Sequence, residues 1–201
     1  MKTARNRFAL AVATAALCAV LPAASASAAL IETSPCDGAQ LSQPFAAFGD
    51  NAYYKLVPGG DFESGLGGWS VNGNAKVVSG GHSGRYALSL PAGSSVTTPA
   101  SCVNAGAPSF RFFSKSSGGL LGLVPVLKVD LVYRDSVLGL VALPLGTAVP
   151  SGTFKPSLSL LTASVVAGLL SDGQADLAFR FTSVLGTWTV DDVWVDPYTR
   201  N

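Results

Sequence analysis

Few residues of this chain could carry catalysis. Its 201 residues include a single histidine, His82, which lies in a Gly-Gly-His-Ser-Gly turn. A Ser-His-Asp triad would have to use this residue, yet no Gly-x-Ser-x-Gly nucleophile elbow accompanies it. One histidine also excludes a histidine-rich metal site, and the chain has no Gly-x-x-x-x-Gly-Lys phosphate loop. We therefore expect a protein that is not an enzyme.

Charged residues alternate with apolar ones along three predicted strands. Because successive side chains of a strand point to opposite faces, each of these strands has one apolar and one polar face. The polar faces carry Arg111, Phe113, Lys115, Lys128, Asp130, Arg134, Asp176 and Arg180. If the strands are neighbours, these charges share one sheet surface. They would then form either cross-strand ion pairs or a binding site for an acidic glycan through Arg111, Lys128, Arg134 and Arg180.

The sequence predicts that short strands carry these residues. Past residue 53, runs rich in Val, Leu, Phe, Tyr and Thr alternate with clusters of Gly, Ser, Asn and Pro, which is typical of an all-β sandwich. Residues 29–52 show no period and predict an irregular N-terminal arm, which leaves 53–201 for the β-sandwich domain. The predicted strands are 75–78, 86–90, 95–98, 109–114, 126–134, 137–144, 157–166, 175–182 and 187–195.

The composition excludes several classes of protein. Charged residues make up 12% of the chain, half of the roughly 25% found in typical soluble domains, and hydrophobic residues make up 48%. This balance argues against intrinsic disorder, and a net charge of +1 offers no basic patch for nucleic acid. The apolar tract 120–170 is interrupted by Pro and charged residues before about 18 apolar positions accumulate, so we expect no membrane span there.

The N-terminus has the pattern of a secretory signal peptide. Three basic residues precede an uncharged run from Phe8 to Leu21, and small residues follow as far as Ala28. We expect cleavage after Ala28, with Ala26 as the second choice, and a secreted, extracellular protein. The three basic residues leave with the segment 1–28, so the net charge falls from +1 to −2.

Cleavage would remove Cys18 and leave Cys36 and Cys102. In an oxidising compartment two cysteines most simply form one disulfide. It would close a loop of about 65 residues and contribute ~4 kcal/mol in the chain-entropy model. Two free, buried thiols are the alternative.

Three motifs give the chain a family resemblance. They are Gly-Asp-Phe-Glu…Gly-Trp over 60–69, His-Ser-Gly-Arg-Tyr-Ala-Leu over 82–88, and Val-Asp-Asp-Val over 190–193. Together they resemble the jelly-roll carbohydrate-binding modules and galactose-binding-like domains of secreted bacterial proteins. The resemblance covers 56–196 and implies a jelly-roll β-sandwich of two antiparallel sheets.

The resemblance also implies a structural calcium site where the first and last strands meet. Calcium takes six to eight oxygen ligands, and acidic residues brought together without an ion would repel one another. The implied ligands are Asp61 or Glu63, then Asp191, and a carbonyl of the Ser83–Gly84 turn, with Asp192 as a further candidate. The alternative is that these acids cap turns and face water. In a glycoside hydrolase, carboxylates of the two acidic motifs would instead work as a pair.

A glycan ligand would need exposed aromatic rings flanked by polar groups. The residues predicted to bind it are Trp188, Trp194, Phe113, Arg111, Lys128 and Arg180. We expect Trp69 in the core.

The sequence therefore predicts a secreted, non-catalytic, carbohydrate-binding-module-like protein that binds a glycan or cell-wall polysaccharide. An alternative is a secreted structural or cell-surface interaction protein that uses the same sandwich without a sugar site. Its apolar region 137–170, where only Lys155 is charged, would then serve self-association or bind a partner.

Overall fold

The computed structural model describes residues 40–104, 109–119, 122–135, 137–161 and 174–196. All of them lie in one compact unit, Thr33–Asn201. Apart from one short 3-10 helix, Ala46–Phe48, the regular structure of these ranges is β. The strands are β1 (Leu41–Ser42), β2 (Tyr54–Leu56), β3 (Ser70–Asn72), β4 (Lys76–Ser79), β5 (Tyr86–Leu90), β6 (Ser95–Thr97), β7 (Ser101–Asn104), β8 (Ser109–Ser117), β9 (Val126–Asp135), β10 (Gly139–Thr147), β11 (Lys155–Pro156), β12 (Leu160–Leu161), β13 (Gln174–Leu185) and β14 (Thr187–Val195).

The strands form two antiparallel sheets. In sheet 1, β14 pairs with β8 along one edge and with β5 and β2 along the other, and β1, β4, β11 and β12 extend the sheet outward. In sheet 2 the order is β10-β9-β13-β6-β3, and β7 also pairs with β13. No helix of the described ranges is long and apolar enough to cross a membrane. The predicted all-β sandwich of two antiparallel sheets is confirmed.

The core lies between the two sheets and is rich in phenylalanine. Phe110 of β8 stacks on Phe179 of β13 with ring centroids 3.8 Å apart, and Phe112 meets Phe181 edge-on at 4.9 Å. These contacts join sheet 1 to sheet 2, and such aromatic pairs add about 0.5–1.5 kcal/mol each beyond the burial of their area. Trp69 is also buried in this core, as predicted.

Most of the predicted strands correspond to observed ones. Eight of the nine overlap β4, β5, β6, β8, β9, β10, β13 and β14, and the predicted faces of β9 and β13 are correct. Within the described part of 157–166 only β12 forms. The short strands β1, β2, β3, β7 and β11 were not predicted, because two to four residues give too little alternation to recognise.

The outer face of sheet 1 is covered by the N-terminal arm. Residues 41–42 of the arm pair with β2, and Phe45 is fully buried against Tyr54 and Phe113. The described part of this arm is therefore packed against the sandwich and contributes a strand to it. Residues 1–28 and Cys36 lie outside the described residues, as does the side chain of Cys102, so the signal peptide and the disulfide stay predictions.

A β-bulge interrupts β14 between Asp191 and Trp194, and Asp192 has a φ of 49°. The bulge adds one residue to the strand, which turns Val190 and Val193 to the same face, and both are fully buried in the core. It also turns the two aspartates toward the turn that joins β4 to β5.

Candidate functional site

The acidic residues converge on the β4–β5 turn. Glu63 Oε1 accepts hydrogen bonds from the backbone N–H groups of Arg85 (2.7 Å) and Tyr86 (2.8 Å). Asp191 Oδ2 accepts the N–H of His82 at 2.6 Å. Among the described residues, the hydrogen bond that Asp61 accepts is local, from the N–H of Glu63 at 3.4 Å. Glu63 and Asp191 thus fix the turn to the first motif and to the last strand.

Asp192 holds the two side chains of the same turn. Its Oδ2 lies 2.7 Å from His82 Nδ1, and its Oδ1 accepts the Ser83 hydroxyl at 2.7 Å. The His82 ring also stacks on Phe113 with centroids 3.8 Å apart. In a catalytic triad the serine would bond to the histidine. Here both residues bond to one carboxylate, so the arrangement positions the turn and activates no nucleophile.

Oxygen atoms crowd around Gly81. A Cβ atom at this glycine would lie 2.9 Å from Asp191 Oδ2, 3.0 Å from the Gly84 carbonyl oxygen, and closer still to the Tyr86 carbonyl oxygen. Asp191 is buried, and burial raises the pKa of its carboxyl to about 6. The described residues contain no group of three or more His, Cys, Asp or Glu side chains suited to a metal. A cation here would depend on carboxylates together with backbone carbonyls, the oxygen donors that calcium accepts.

Three of the predicted glycan-binding residues are buried. Trp188 is fully buried in the core, Phe113 is 2% exposed beneath the N-terminal arm, and Arg111 is 9% exposed. Their predicted role in a ligand site is therefore wrong, because a buried side chain is not accessible to a sugar. Trp194 is half-buried against the same covering cluster as Phe113 and forms no open platform.

Arg111 belongs to a network that fastens the arm to sheet 1. It donates to the Ser157 carbonyl and to Asp50 Oδ2, and its guanidinium lies 4.2 Å from the Phe45 ring centroid. Burial works to raise the pKa of Asp50, but hydrogen bonds from Tyr54, the Ala52 N–H and Arg111, with the charge of that guanidinium, hold it below 3.8. Burial, with smaller contributions from Asp50, raises the pKa of Tyr54 to about 12.

The charged residues are divided between two sheets. Arg111 lies on β8 of sheet 1, whereas Lys128, Asp130, Arg134 and Arg180 lie on β9 and β13 of sheet 2. The single polar surface predicted from alternation is therefore wrong for Arg111, since alternation fixes a face within a strand but not the sheet to which the strand belongs. The side chain of Asp176 lies outside the described residues.

The outer face of sheet 2 presents cross-strand rows of polar side chains. Register places Thr147 opposite Lys128, Lys128 opposite Thr182, Thr182 opposite Ser95, and Ser95 opposite Asn72. The adjacent row runs through Asp130, Arg180, Thr97 and Ser70. Val132 and Ala178 face each other in the next row and provide an apolar floor.

A groove of about 340 Å³ lies on this face. It is lined by Ser70, Thr97, Ala100, Val132, Tyr133, Arg134, Leu140, Ala178 and Arg180. The lining includes Arg180, which was predicted to bind a glycan, and Arg134, which was predicted as part of an acidic-glycan site. Lys128 lies on the same face, in the neighbouring row. Alternation along β9 and β13 places Val132 on the same face as Arg134, and Ala178 on the same face as Arg180. Ser70 and Thr97 had no such signal, because only the fold brings β3 and β6 next to β13.

No family model matches this chain, and no curated protein matches it. Several solved structures do match this chain. The CBM22-1 and GH10 modules of the Clostridium thermocellum N-terminal endo-1,4-beta-D-xylanase 10B, complexed with xylohexaose, match with a TM-score of 0.52 at 16% identity over 70% of this chain. Only 28% of that xylanase chain is covered. A xylan-binding domain from CBM 22 matches with a TM-score of 0.50 at 14% identity, over 76% of this chain and 99% of that one.

The protein has the fold of these carbohydrate-binding modules. The predicted resemblance to a jelly-roll carbohydrate-binding module is thereby confirmed at the level of the fold. The module fold has two outer sheet faces, and in this chain the arm covers that of sheet 1. The groove lies on the face of sheet 2.

Proposed function

We propose that this protein binds a polysaccharide in the groove of sheet 2 and does not cleave it. The observation that carries the proposal is the groove itself, which combines the apolar floor of Val132 and Ala178 with hydroxyl groups and two arginines. Sugars need both kinds of contact, because their rings have apolar faces and hydroxyl rims. Tyr133 borders the groove, but its side chain packs against the core.

The similar structures suggest which ligands to test first. One is complexed with xylohexaose and the other is described as xylan-binding. Xylan and other plant, fungal and bacterial wall polymers are therefore the first panel. We also propose that the protein acts outside the cell, as its N-terminal residues 1–28 predict.

Binding without catalysis is part of the proposal. Asp191 and Asp192 are buried and accept hydrogen bonds from the β4–β5 turn, and Glu63 holds the same turn. These carboxylates stabilise the fold on sheet 1, and the groove of sheet 2 lies elsewhere. The described residues that line the groove include no carboxylate, whereas glycoside hydrolysis needs two.

Filling the groove should abolish binding. Ala178 points outward from β13 onto the floor, so the ring of an Ala178→Phe variant would occupy the space that a sugar needs. We expect affinity for the bound polymer, measured by affinity electrophoresis or calorimetry, to fall at least about tenfold, which is about 1.4 kcal/mol. Thr182→Phe is the matched control. It adds a ring to the same face of the same strand outside the groove lining, and should leave binding unchanged.

Two results would contradict this proposal. One is an absence of binding by the parent protein across the polymer panel. The other is equal binding by Ala178→Phe and Thr182→Phe, which would place the ligand away from the groove.

We further propose a structural calcium ion at the β4–β5 turn. The carbonyl oxygens of Gly84 and Tyr86 and the Asp191 carboxylate lie around Gly81, and the Glu63 carboxylate lies beside Gly84 of the same turn. These are oxygen donors of the kind that calcium accepts. Asp61 and the Ser83 side chain are left out, because Asp61 accepts only a local N–H and the Ser83 hydroxyl donates to Asp192. An ion here would stabilise the fold and take no part in binding chemistry.

Chelation tests the calcium proposal directly. At free calcium of about 100 times Kd, binding adds about 2.7 kcal/mol to stability, so EDTA should lower the Tm by roughly 5–10 °C. Added calcium should restore it. An Asp191→Asn variant should melt lower and respond less to EDTA. If the Tm of the parent protein is the same in EDTA and in calcium, no such ion is bound.

Self-association is a second candidate function, favoured by exposed apolar side chains in the region 137–161. The exposed residues are Val137, Leu138, Leu140, Val149, Leu158 and Leu161. Exposed apolar side chains that form one contiguous patch mark an interaction surface. Light scattering separates the two functions, because a monomer that binds polysaccharide would contradict self-association.

A further inference from the structure

Among the described residues, the lining of the groove of sheet 2 carries positive charge without a carboxylate. Its lining includes Arg134 and Arg180 and no acidic residue. Among the residues that the structure describes, neither guanidinium has an ion-pair partner. Arg180 Nε donates a hydrogen bond to Thr97 Oγ1, with 3.3 Å between the two atoms.

The carboxylate opposite Arg180 is already engaged. Asp130 lies directly opposite Arg180 in the β9–β13 register and is 4% exposed. Its Oδ1 lies 2.9 Å from the Lys128 ammonium, outside hydrogen-bonding geometry. The charge of Asp130 is therefore balanced by Lys128, and among the described side chains of the groove the two arginines leave an excess of positive charge.

The spacing of the arginines fits an extended ligand. Arg134 is four residues beyond Asp130 along β9, so it lies about 13 Å along the strand from the row that contains Arg180. The Val132–Ala178 pair lies between the two rows. A chain of sugar rings can cross this floor while anionic groups on the rings meet a guanidinium at either end.

We propose that the ligand of this groove is an acidic polysaccharide, whose anionic groups bind Arg134 and Arg180. This inference rests on the proposed function and adds the chemical class of the ligand. Guanidinium groups bind carboxylate and other oxyanions through paired hydrogen bonds, and weak hydration makes arginine well suited to such sites. Uronate carboxylates and sulfate esters share this chemistry.

The experiment compares each acidic polymer with a neutral counterpart. Polygalacturonate is measured against the same polymer after carboxyl reduction, and dextran sulfate against dextran. The parent protein should bind at least one acidic polymer about tenfold or more tightly than its counterpart, because charge-assisted hydrogen bonds are about twice as strong as neutral ones. The preference should weaken as salt is added. The acidic polymer that is preferred identifies the anion as carboxylate or sulfate.

The variants assign the preference to the groove. Arg134→Gln and Arg180→Gln, singly and together, should lower affinity for the acidic polymer more than affinity for its neutral counterpart, so the ratio of the two affinities should fall toward one. Lys155→Gln is the matched control, since it removes one exposed positive charge from β11 of sheet 1. It should change neither affinity. Arg134 is exposed, so its single variant keeps the test valid if the double variant folds poorly.

The outcomes separate this inference from the proposed function. Equal affinity of the parent protein for acidic and neutral polymers would overturn the acidic ligand and retain polysaccharide binding. No binding to any polymer would overturn both. A preference for acidic polymers that survives in the double variant, or is lost equally in Lys155→Gln, would show that the groove arginines do not cause it.

Discussion

Replacing Trp188 with alanine should lower the free energy of unfolding by about 3–5 kcal/mol, the usual cost of truncating a large buried aromatic side chain. The indole is fully buried between the sheets, and its Nε1 donates to the Leu185 carbonyl oxygen at 3.3 Å. Its strand, β14, is the one that both β5 and β8 pair with, so the cavity would open at the centre of sheet 1.

Urea unfolding followed by circular dichroism measures this loss. Leu158→Ala is the control, because Leu158 is 67% exposed and its truncation should change stability by no more than about 0.5 kcal/mol. If Trp188→Ala instead kept its stability and lost polysaccharide binding, Trp188 would be a ligand residue after all.

Replacing Arg111 with alanine should destabilise the protein by about 3 kcal/mol, the lower end of the cost of breaking a buried ion pair, since Asp50 keeps some contact with solvent. The change removes one hydrogen bond to Asp50 and two to the Ser157 carbonyl oxygen. The arm around Phe45 should loosen first, and limited proteolysis should cut there earlier than in the parent protein.

A double-mutant cycle isolates the ion pair. Arg111→Ala combined with Asp50→Asn should cost less than the sum of the two single changes, because the second removes the charge that the first leaves unpaired. The pKa of Asp50 is held below 3.8, so the contribution of the pair is present above that pH and is lost as the pH falls through the lower folded-state pKa. The stability difference between parent and Arg111→Ala should therefore shrink in acid. Simple additivity would contradict the pairing.

Neither substitution should alter the specificity of the groove. Arg111 and Trp188 belong to β8 and β14 of sheet 1, whereas the groove is lined by strands of sheet 2. A folded Arg111→Ala protein should therefore keep its affinity for polysaccharide. This result would separate Arg111 from Arg180, two arginines that alternation alone places on equivalent polar faces.

The bulge in β14 shows how much a motif can predict. Strict alternation would place Val190 and Val193 on opposite faces, so a shared face requires an extra residue, and the structure has that bulge at Asp192. The motif did not reveal that Asp192 would bind His82 and Ser83. Those contacts join residues about 110 positions apart, and their partners are set by which strands meet.

Phe113 shows the opposite limit. Its alternation with Phe110 and Phe112 correctly predicts that it faces away from the core, and exposure was the natural expectation. The arm residue Phe45 stacks on it at 5.2 Å and His82 stacks on it at 3.8 Å. Sequence patterns describe one strand at a time, so they do not show which later or earlier segment packs over its outer side.

Sequence patterns were enough to predict the all-β class, the positions of the long strands and the two faces of β9 and β13, because these depend on the local period of two residues along a strand. Tertiary structure alone decided which strands share a sheet and which outer face the arm covers. Sheet membership and the packing of the arm depend on pairing between distant segments. This pairing places Arg111 in a different sheet from Lys128 and Arg180. The groove exists because Ser70, Thr97, Arg134 and Arg180 meet across four strands.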